Sequence, residues 1–228
     1  MVTWKLVALG DSFPAGFGVG GVSYIDYLVK MLRIGRDIKV DVANFAQSGA
    51  RTSELLSLLQ TNQILQEKLE TADLVTIWIG WNDMIYALSL FDSKVCGGKD
   101  NLDCLRKAAK QINNNLDGIF DTIMQLIQPS KTKVFISDYF VPPALIEMWQ
   151  EHGDFASIKE AAYESWRSYL VSEAEERGIQ IVGTHPALNG PAGNAMIEGI
   201  TQADGFHLNK KGHKHLAEIH YAMIVGSI

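Results

Sequence analysis

The sequence predicts an α/β fold, a three-layer α/β/α sandwich built around a parallel sheet. Five short apolar runs of strand length recur along the chain, and segments with helical periodicity separate them. The runs read as strands buried on both faces rather than as half-exposed ones. Strands and helices in alternation require parallel strands joined by right-handed crossovers, with helices on both faces of the sheet.

The first run, Leu6-Val7-Ala8-Leu9, stops at Gly10-Asp11-Ser12. The other strands are expected at Lys39–Phe45, Leu74–Ile79, Val134–Ser137 and Ile179–Gly183. Thr52 or Ser53 caps a helix with Leu55, Leu58 and Leu59 on one face. A long helix over Asn101–Gln128 repeats apolar residues at Leu105, Ala109, Ile112, Leu116, Ile119, Ile123 and Leu126 and ends at Pro129. Asp154–Arg177 runs to Gly178, and Lys210–Ile228 closes the chain with Leu216, Ile219 and Met223 on one face. The stretches Tyr86–Asp100, Phe140–Gly153 and Thr184–Phe206 lack a clear period and are expected to be binding loops or lids. No repeat, low-complexity tract or linker divides the chain, so one domain over residues 1–228 is expected.

With 47% hydrophobic and 20% charged residues the chain has the balance of a soluble globular protein. A formal charge of -6 leaves no basic footprint for a phosphate backbone, which argues against nucleic acid as a partner. No apolar segment approaches the roughly 20 residues that span a bilayer, so no stable membrane insertion is expected. Met1 stands directly before the first strand, with no room for a signal peptide. The two cysteines, Cys96 and Cys104, bound one short glycine-containing polar insert. That placement suggests a disulfide and a secreted or periplasmic protein; a neighbouring pair of reduced thiols, and the cytoplasm, is the alternative. Two cysteines without a nearby histidine pair do not fill a zinc site, and no cofactor or metal is expected.

In a parallel sheet of this kind the reactive groups gather outside the carboxyl ends of the strands. The first strand is followed by Gly10-Asp11-Ser12, the second by the cluster Gln47-Ser48-Gly49-Ala50, and the third by Gly80-Trp81-Asn82-Asp83. Asp204-Gly205-Phe206-His207 stands before the final helix. Acyl transfer needs a nucleophile, a base, a group that orients the base, and donors aimed at the oxyanion, and the four clusters supply one of each. Ser12 would attack the carbonyl, His207 would take its proton and pass it to the leaving group, and Asp204 would hold the imidazole tautomer. The N–H groups of Ser12 and Gly49 and the side-chain amide of Asn82 would line the oxyanion hole.

These four blocks, in this order from Gly10 to His207, resemble the SGNH hydrolases, also called the GDSL esterase and lipase family. The resemblance covers nearly the whole chain. It implies a flavodoxin-like α/β/α sandwich with a five-stranded parallel sheet, and metal-independent hydrolysis of small-molecule esters or thioesters. Its named residues here are Ser12, Gly49, Asn82 and His207, with Asp204 three before the histidine. The first block departs from the usual pattern, with Phe13 where leucine is common, and this is expected to alter packing beside the nucleophile.

Rival readings fare worse. The α/β-hydrolases share the order serine, aspartate, histidine but carry a Gly-x-Ser-x-Gly elbow that is absent here. A non-catalytic nucleotide-binding module would need its glycine-rich turn at the first strand, and Gly16-Phe17-Gly18-Val19-Gly20-Gly21 lies too far beyond it. The expected activity is hydrolysis of short- to medium-chain carboxylic esters, thioesters or lysophospholipids, with a carbohydrate acetyl esterase as the rival within the family. Phe13, Trp81, Met84, Phe140, Met148 and Trp149 are candidates to line the acyl pocket, although large apolar residues near strand ends are more often core. Asp11 is read as structural, and His213, His215 and His220 as solvated or lightly packed.

Overall fold

The computed structural model describes residues 2–195 and 198–227. Five parallel strands form one sheet in the order β2-β1-β3-β4-β5. They are β1 (Val2–Gly10), β2 (Ile38–Asn44), β3 (Leu74–Trp78), β4 (Lys133–Ser137) and β5 (Gln180–Val182). All five expected strands are present, but β2 is not the buried strand expected over Lys39–Phe45: it lies at the edge of the sheet, and Ile38 alone among its residues is buried. Leu6–Leu9 and all of β3 are buried, as the continuous apolar runs require of central strands.

The helices are α1 (Ser12–Ala15), α2 (Tyr24–Arg36), α3 (Thr52–Thr61), α4 (Gln63–Glu70), α5 (Trp81–Asp92) and α6 (Asp103–Leu126). They continue with α7 (Pro143–Glu151), α8 (Phe155–Lys159), α9 (Ser165–Glu176), α10 (Thr184–Asn189) and α11 (Lys210–Gly226). The expected long helices over Asn101–Gln128 and Lys210–Ile228 correspond to α6 and α11. The expected helix over Asp154–Arg177 is present, with a π-helical turn, Glu160–Glu164, set within it between α8 and α9.

The expected irregular stretches are a correction. Tyr86–Asp100 begins inside α5, Phe140–Gly153 contains α7, and Thr184–Phe206 opens with α10. In α5 the buried positions Trp81, Met84, Ala87, Leu88 and Phe91 recur at helical spacing, but Gly80-Trp81-Asn82-Asp83 also reads as a turn. In α7 a proline at the start of the helix serves as an initiator rather than a breaker. Helix α2 is not among the expected helices, although its signal is legible: Ser23 and Asp26 form a capping box in front of buried Ile25, Leu28 and Leu32.

From β1 the chain passes to β2 on one side and then returns to β3 on the other. The strand order reverses between β1 and β3, and the crevice at such a switch point is where this architecture places its ligands. Gly10-Asp11-Ser12 and Gly80-Trp81-Asn82 are the two segments that leave these strands at that crevice.

Candidate active site

The turn after β1 is built by close backbone approach. Gly10 has φ +141°, and a Cβ there would lie 1.9 Å from the Trp78 carbonyl oxygen. Only glycine fits between the two central strands at this point. The next residue, Asp11, donates its N–H to Trp78 O at 3.0 Å, and its Oδ1 accepts from Phe13 N at 3.1 Å, capping α1. Ser12 therefore opens a helix, and its own N–H has no acceptor inside that helix.

Across the crevice the loop before α11 brings His207 to Ser12. His207 Nε2 lies 3.1 Å from Ser12 Oγ, and His207 Nδ1 lies 2.7 Å from Asp204 Oδ2. The other Asp204 oxygen accepts from the N–H groups of Phe206 at 2.9 Å and His207 at 3.0 Å. Partial burial pushes the Asp204 carboxyl up, but the His207 ring bond and these two N–H bonds together outweigh it and hold Asp204 below the ordinary carboxylate range. A carboxylate held on Nδ1 favours the tautomer with its proton there, which would leave Nε2 able to accept a proton from Ser12.

Asn82 stands in the first turn of α5, and its Nδ2 donates to Ala50 O at 3.0 Å. Gly49 lies in the loop between β2 and α3 with φ +85°, a conformation that suits glycine. Among the described residues no acceptor meets the Gly49 N–H. Ser12, Asp204, His207, Gly49 and Asn82 are thus all carried by loops and helix starts at the carboxyl edge of the sheet.

The expected acyl-pocket residues behave differently. Phe13, Trp81, Met84, Phe140 and Trp149 are at most 2% exposed. Phe13 stacks on Trp78 at 4.8 Å, Trp81 on Tyr163 at 5.5 Å, and Trp149 packs against Phe155. Met148 is partly buried against the same core. These side chains form the support behind the crevice instead of an open acyl lining. The aromatic ring that does stand open beside His207 is Phe17, 48% exposed, with its centroid 4.6 Å from that of the imidazole.

The reading of His213 and His220 is also corrected. His213 and His220 are each 1% exposed. His213 Nδ1 accepts from Tyr24 N at 3.2 Å; His220 Nδ1 donates to Leu216 O at 2.9 Å and leaves Nε2 to accept from the Ser137 hydroxyl at 3.2 Å. Burial pushes both imidazoles down to about 4. His215 is half-buried and pairs with Glu218, as the expectation of a lightly packed histidine has it. Asp11 is structural as expected, and burial, opposed by the Phe13 N–H bond and helped by repulsion from Asp83, raises its carboxyl to about 8.

A residue that the sequence reading passed over is Gln202. Its Nε2 donates to Phe17 O and Leu208 O, both at 2.9 Å, which ties the loop beyond Ser12 to the loop carrying His207. A glutamine two residues before Asp204 carries no sequence signal of that role.

A disulfide joins Cys96 to Cys104 and clips the end of α5 to the start of α6. Among the described residues no group of three or more His, Cys, Asp or Glu side chains is placed to hold a metal, and no helix is long and apolar enough to cross a membrane.

Comparison with known proteins adds to this geometry. The spore germination lipase LipC of Bacillus licheniformis is 22% identical over 223 residues, which cover 95% of this chain and 94% of that protein. Among solved structures, a lipase from a goat rumen metagenome matches with a TM-score of 0.72 at 20% identity, over 96% of this chain and 97% of that one. The family 3 carbohydrate esterase of Clostridium thermocellum matches with a TM-score of 0.61 at 20% identity, over 99% of this chain and 96% of that one. These likenesses extend to the fold alone. The family model described as GDSL-like Lipase/Acylhydrolase matches residues 6–219, from the first buried strand into the last helix, and so takes in all four loops that meet at the crevice. The chain therefore belongs to the GDSL-like lipase/acylhydrolase family and is a carboxylic ester hydrolase.

Proposed function

We propose that the chain, acting as a single SGNH hydrolase domain, cleaves short- to medium-chain carboxylic esters through an acyl-enzyme on Ser12. The observation that carries this reading is the unbroken relay from Ser12 Oγ to His207 Nε2 at 3.1 Å and from His207 Nδ1 to Asp204 Oδ2 at 2.7 Å. His207 takes the serine proton as Ser12 attacks the ester carbonyl, and the N–H groups of Ser12 and Gly49 with Asn82 Nδ2 receive the negative oxygen. His207 then protonates the departing alcohol, and water repeats the sequence to release the acid.

The choice of short to medium chains is supported by the buried aromatic support behind the crevice, which leaves Phe17 as the open apolar surface beside His207. Each further methylene that finds cover there contributes about 0.8 kcal/mol until the surface is used up. The same exposed ring suits stacking on a sugar, and this keeps a carbohydrate acetyl esterase as the second reading.

The test is a chain-length series of p-nitrophenyl esters run beside an acetylated polysaccharide, with wild type and Ser12→Ala. Ser12→Ala is expected to fold normally and lose on the order of 10³-fold or more of its turnover. A variant that keeps more than about a tenth of wild-type turnover refutes the nucleophile. Strict preference for acetyl, with acetate released from the polysaccharide, replaces the first reading by the second.

A further inference from the structure

The hydrolase reading leaves one part-buried carboxyl beside the site without a task. Asp83 directly follows Asn82, and both of its oxygens are taken by a single residue on another element. Oδ2 accepts from Thr52 N at 2.9 Å, and Oδ1 accepts from the Thr52 hydroxyl at 2.6 Å. Thr52 is fully buried at the start of α3, three residues after Gly49. Its hydroxyl in turn accepts from Asn115 Nδ2 at 2.8 Å, and Asn115 Oδ1 accepts from Gln111 Nε2 at 3.1 Å, both from the long helix α6. A hydroxyl has one proton to give, and here it goes to Asp83 while the amide supplies the incoming bond, so every link has a defined direction.

The consequence lies in what this chain of bonds connects. Gly49 sits on the segment leading into α3 and Asn82 on the first turn of α5; the covalent chain between them runs through two helices and a strand and does not fix their spacing. The Asp83–Thr52 pair spans 31 residues of sequence and staples the two helix starts together, and α6 anchors the staple from behind. Asn82 Nδ2 adds a parallel tie to Ala50 O, on the Gly49 side. A carboxylate suits the position because both of its oxygens accept and Thr52 offers two donors, one from the backbone and one from the side chain. Oxyanion donors act through preorganisation, and displacement by about 1 Å at such a site costs on the order of 10²-fold in rate.

We propose that Asp83, acting through Thr52 and Asn115, is the positioning residue that sets the spacing between the oxyanion donors Gly49 and Asn82. This rests on the hydrolase reading above. Asp83 touches no substrate; its effect is exerted entirely through Asn82 and the start of α3.

The experiment is a double-variant cycle read as kcat and KM on a p-nitrophenyl ester, with the full chain. Thr52→Val keeps the shape and the backbone donor but removes the hydroxyl, and is expected to lower kcat by about 10-fold with KM within about twofold of wild type. Asp83→Ala is expected to lower kcat by about 10²-fold, and Thr52→Ser, which keeps the hydroxyl, to recover most of the Thr52→Val loss. In an Asn82→Ala background, where the positioned donor is already gone, Asp83→Ala and Thr52→Val are each expected to cost less than about threefold more. Losses that multiply in full in that background, or a rise in KM with kcat unchanged, overturn the proposal and leave Asp83 a purely structural cap. If Asp83→Ala does not fold, the Thr52→Val and Asn82→Ala cycle gives the same decision. Turnover that survives Ser12→Ala refutes the hydrolase reading and this role with it, whereas Ser12-dependent turnover with multiplicative losses refutes this role alone.

Discussion

Replacing Asp11 by asparagine is expected to stabilise the protein increasingly as pH rises. Asp11 is 1% exposed, and its carboxyl is raised from 3.8 to about 8, chiefly by burial. Between those two values the folded chain holds a proton that the unfolded chain has released. The folded state then binds more protons than the unfolded one, so stability falls with rising pH by about 1.4 kcal/mol per unit. From pH 5 to pH 7 the cost to the wild type amounts to about 3 kcal/mol, and it levels off above the folded-state value near 8. Asparagine keeps an oxygen for the Phe13 N–H bond that caps α1 and carries no charge at any of these pH values. The assay is urea unfolding followed by fluorescence of the five tryptophans at pH 5, 6 and 7 for both proteins. Other titrating groups contribute equally to the two chains and cancel in the difference. The stability difference is expected to grow by about 3 kcal/mol across that range in favour of Asp11→Asn. A difference that stays constant with pH shows that Asp11 ionises in the folded protein as it does in the unfolded one, and the reasoning fails.

Asn82→Ala is expected to lower kcat by about 10²–10³-fold with little change in KM, because its bond to the oxygen is made chiefly in the transition state; an effect confined to KM assigns Asn82 to substrate binding instead. His213 and His220, held neutral by burial, add stability that is present above about 6.5 and lost as pH falls towards 4, up to about 3 kcal/mol each. Imidazole titration by NMR tests this, and midpoints near 6.5 contradict it. The Cys96–Cys104 bridge closes a short loop, so its reduction is expected to cost no more than about 2–3 kcal/mol. Mass spectrometry of protein made under oxidising conditions should find the pair two hydrogens lighter than the dithiol, and two free thiols would remove the argument for an oxidising compartment.

The central strands were legible because a parallel sheet buried on both faces demands continuous apolar runs there, and Leu74–Trp78 and Val134–Ile136 show it residue by residue. Ser12 and Asn82 were legible for a related reason, since polar and glycine residues directly after such runs stand at the sheet edge where this architecture places its ligands, whereas His207, in the loop before α11, was legible from its spacing to Asp204. Helix α5 was harder to read. Its first turn looks like a loop because Gly80, Asn82 and Asp83 are also turn formers.

By itself, then, the chain's local order determined the sheet, the alternation and the four polar clusters proposed as the site, since each depends on short-range periodicity and on short blocks beside a strand or helix end. Tertiary structure alone decided which large side chains line the crevice and which support it. Trp81 and Phe17 are both aromatic residues close to site residues, yet Trp81 is stacked on Tyr163 from a helix far along the sequence, while Phe17 lies open over His207. The same holds for His213 and His220, buried by α2 and β4, and for Thr52, whose partners Asp83 and Asn115 come from two other helices. Burial and hydrogen-bond partnership are set by neighbours distant in sequence, and a residue's type records what it can do but not which neighbour it will meet.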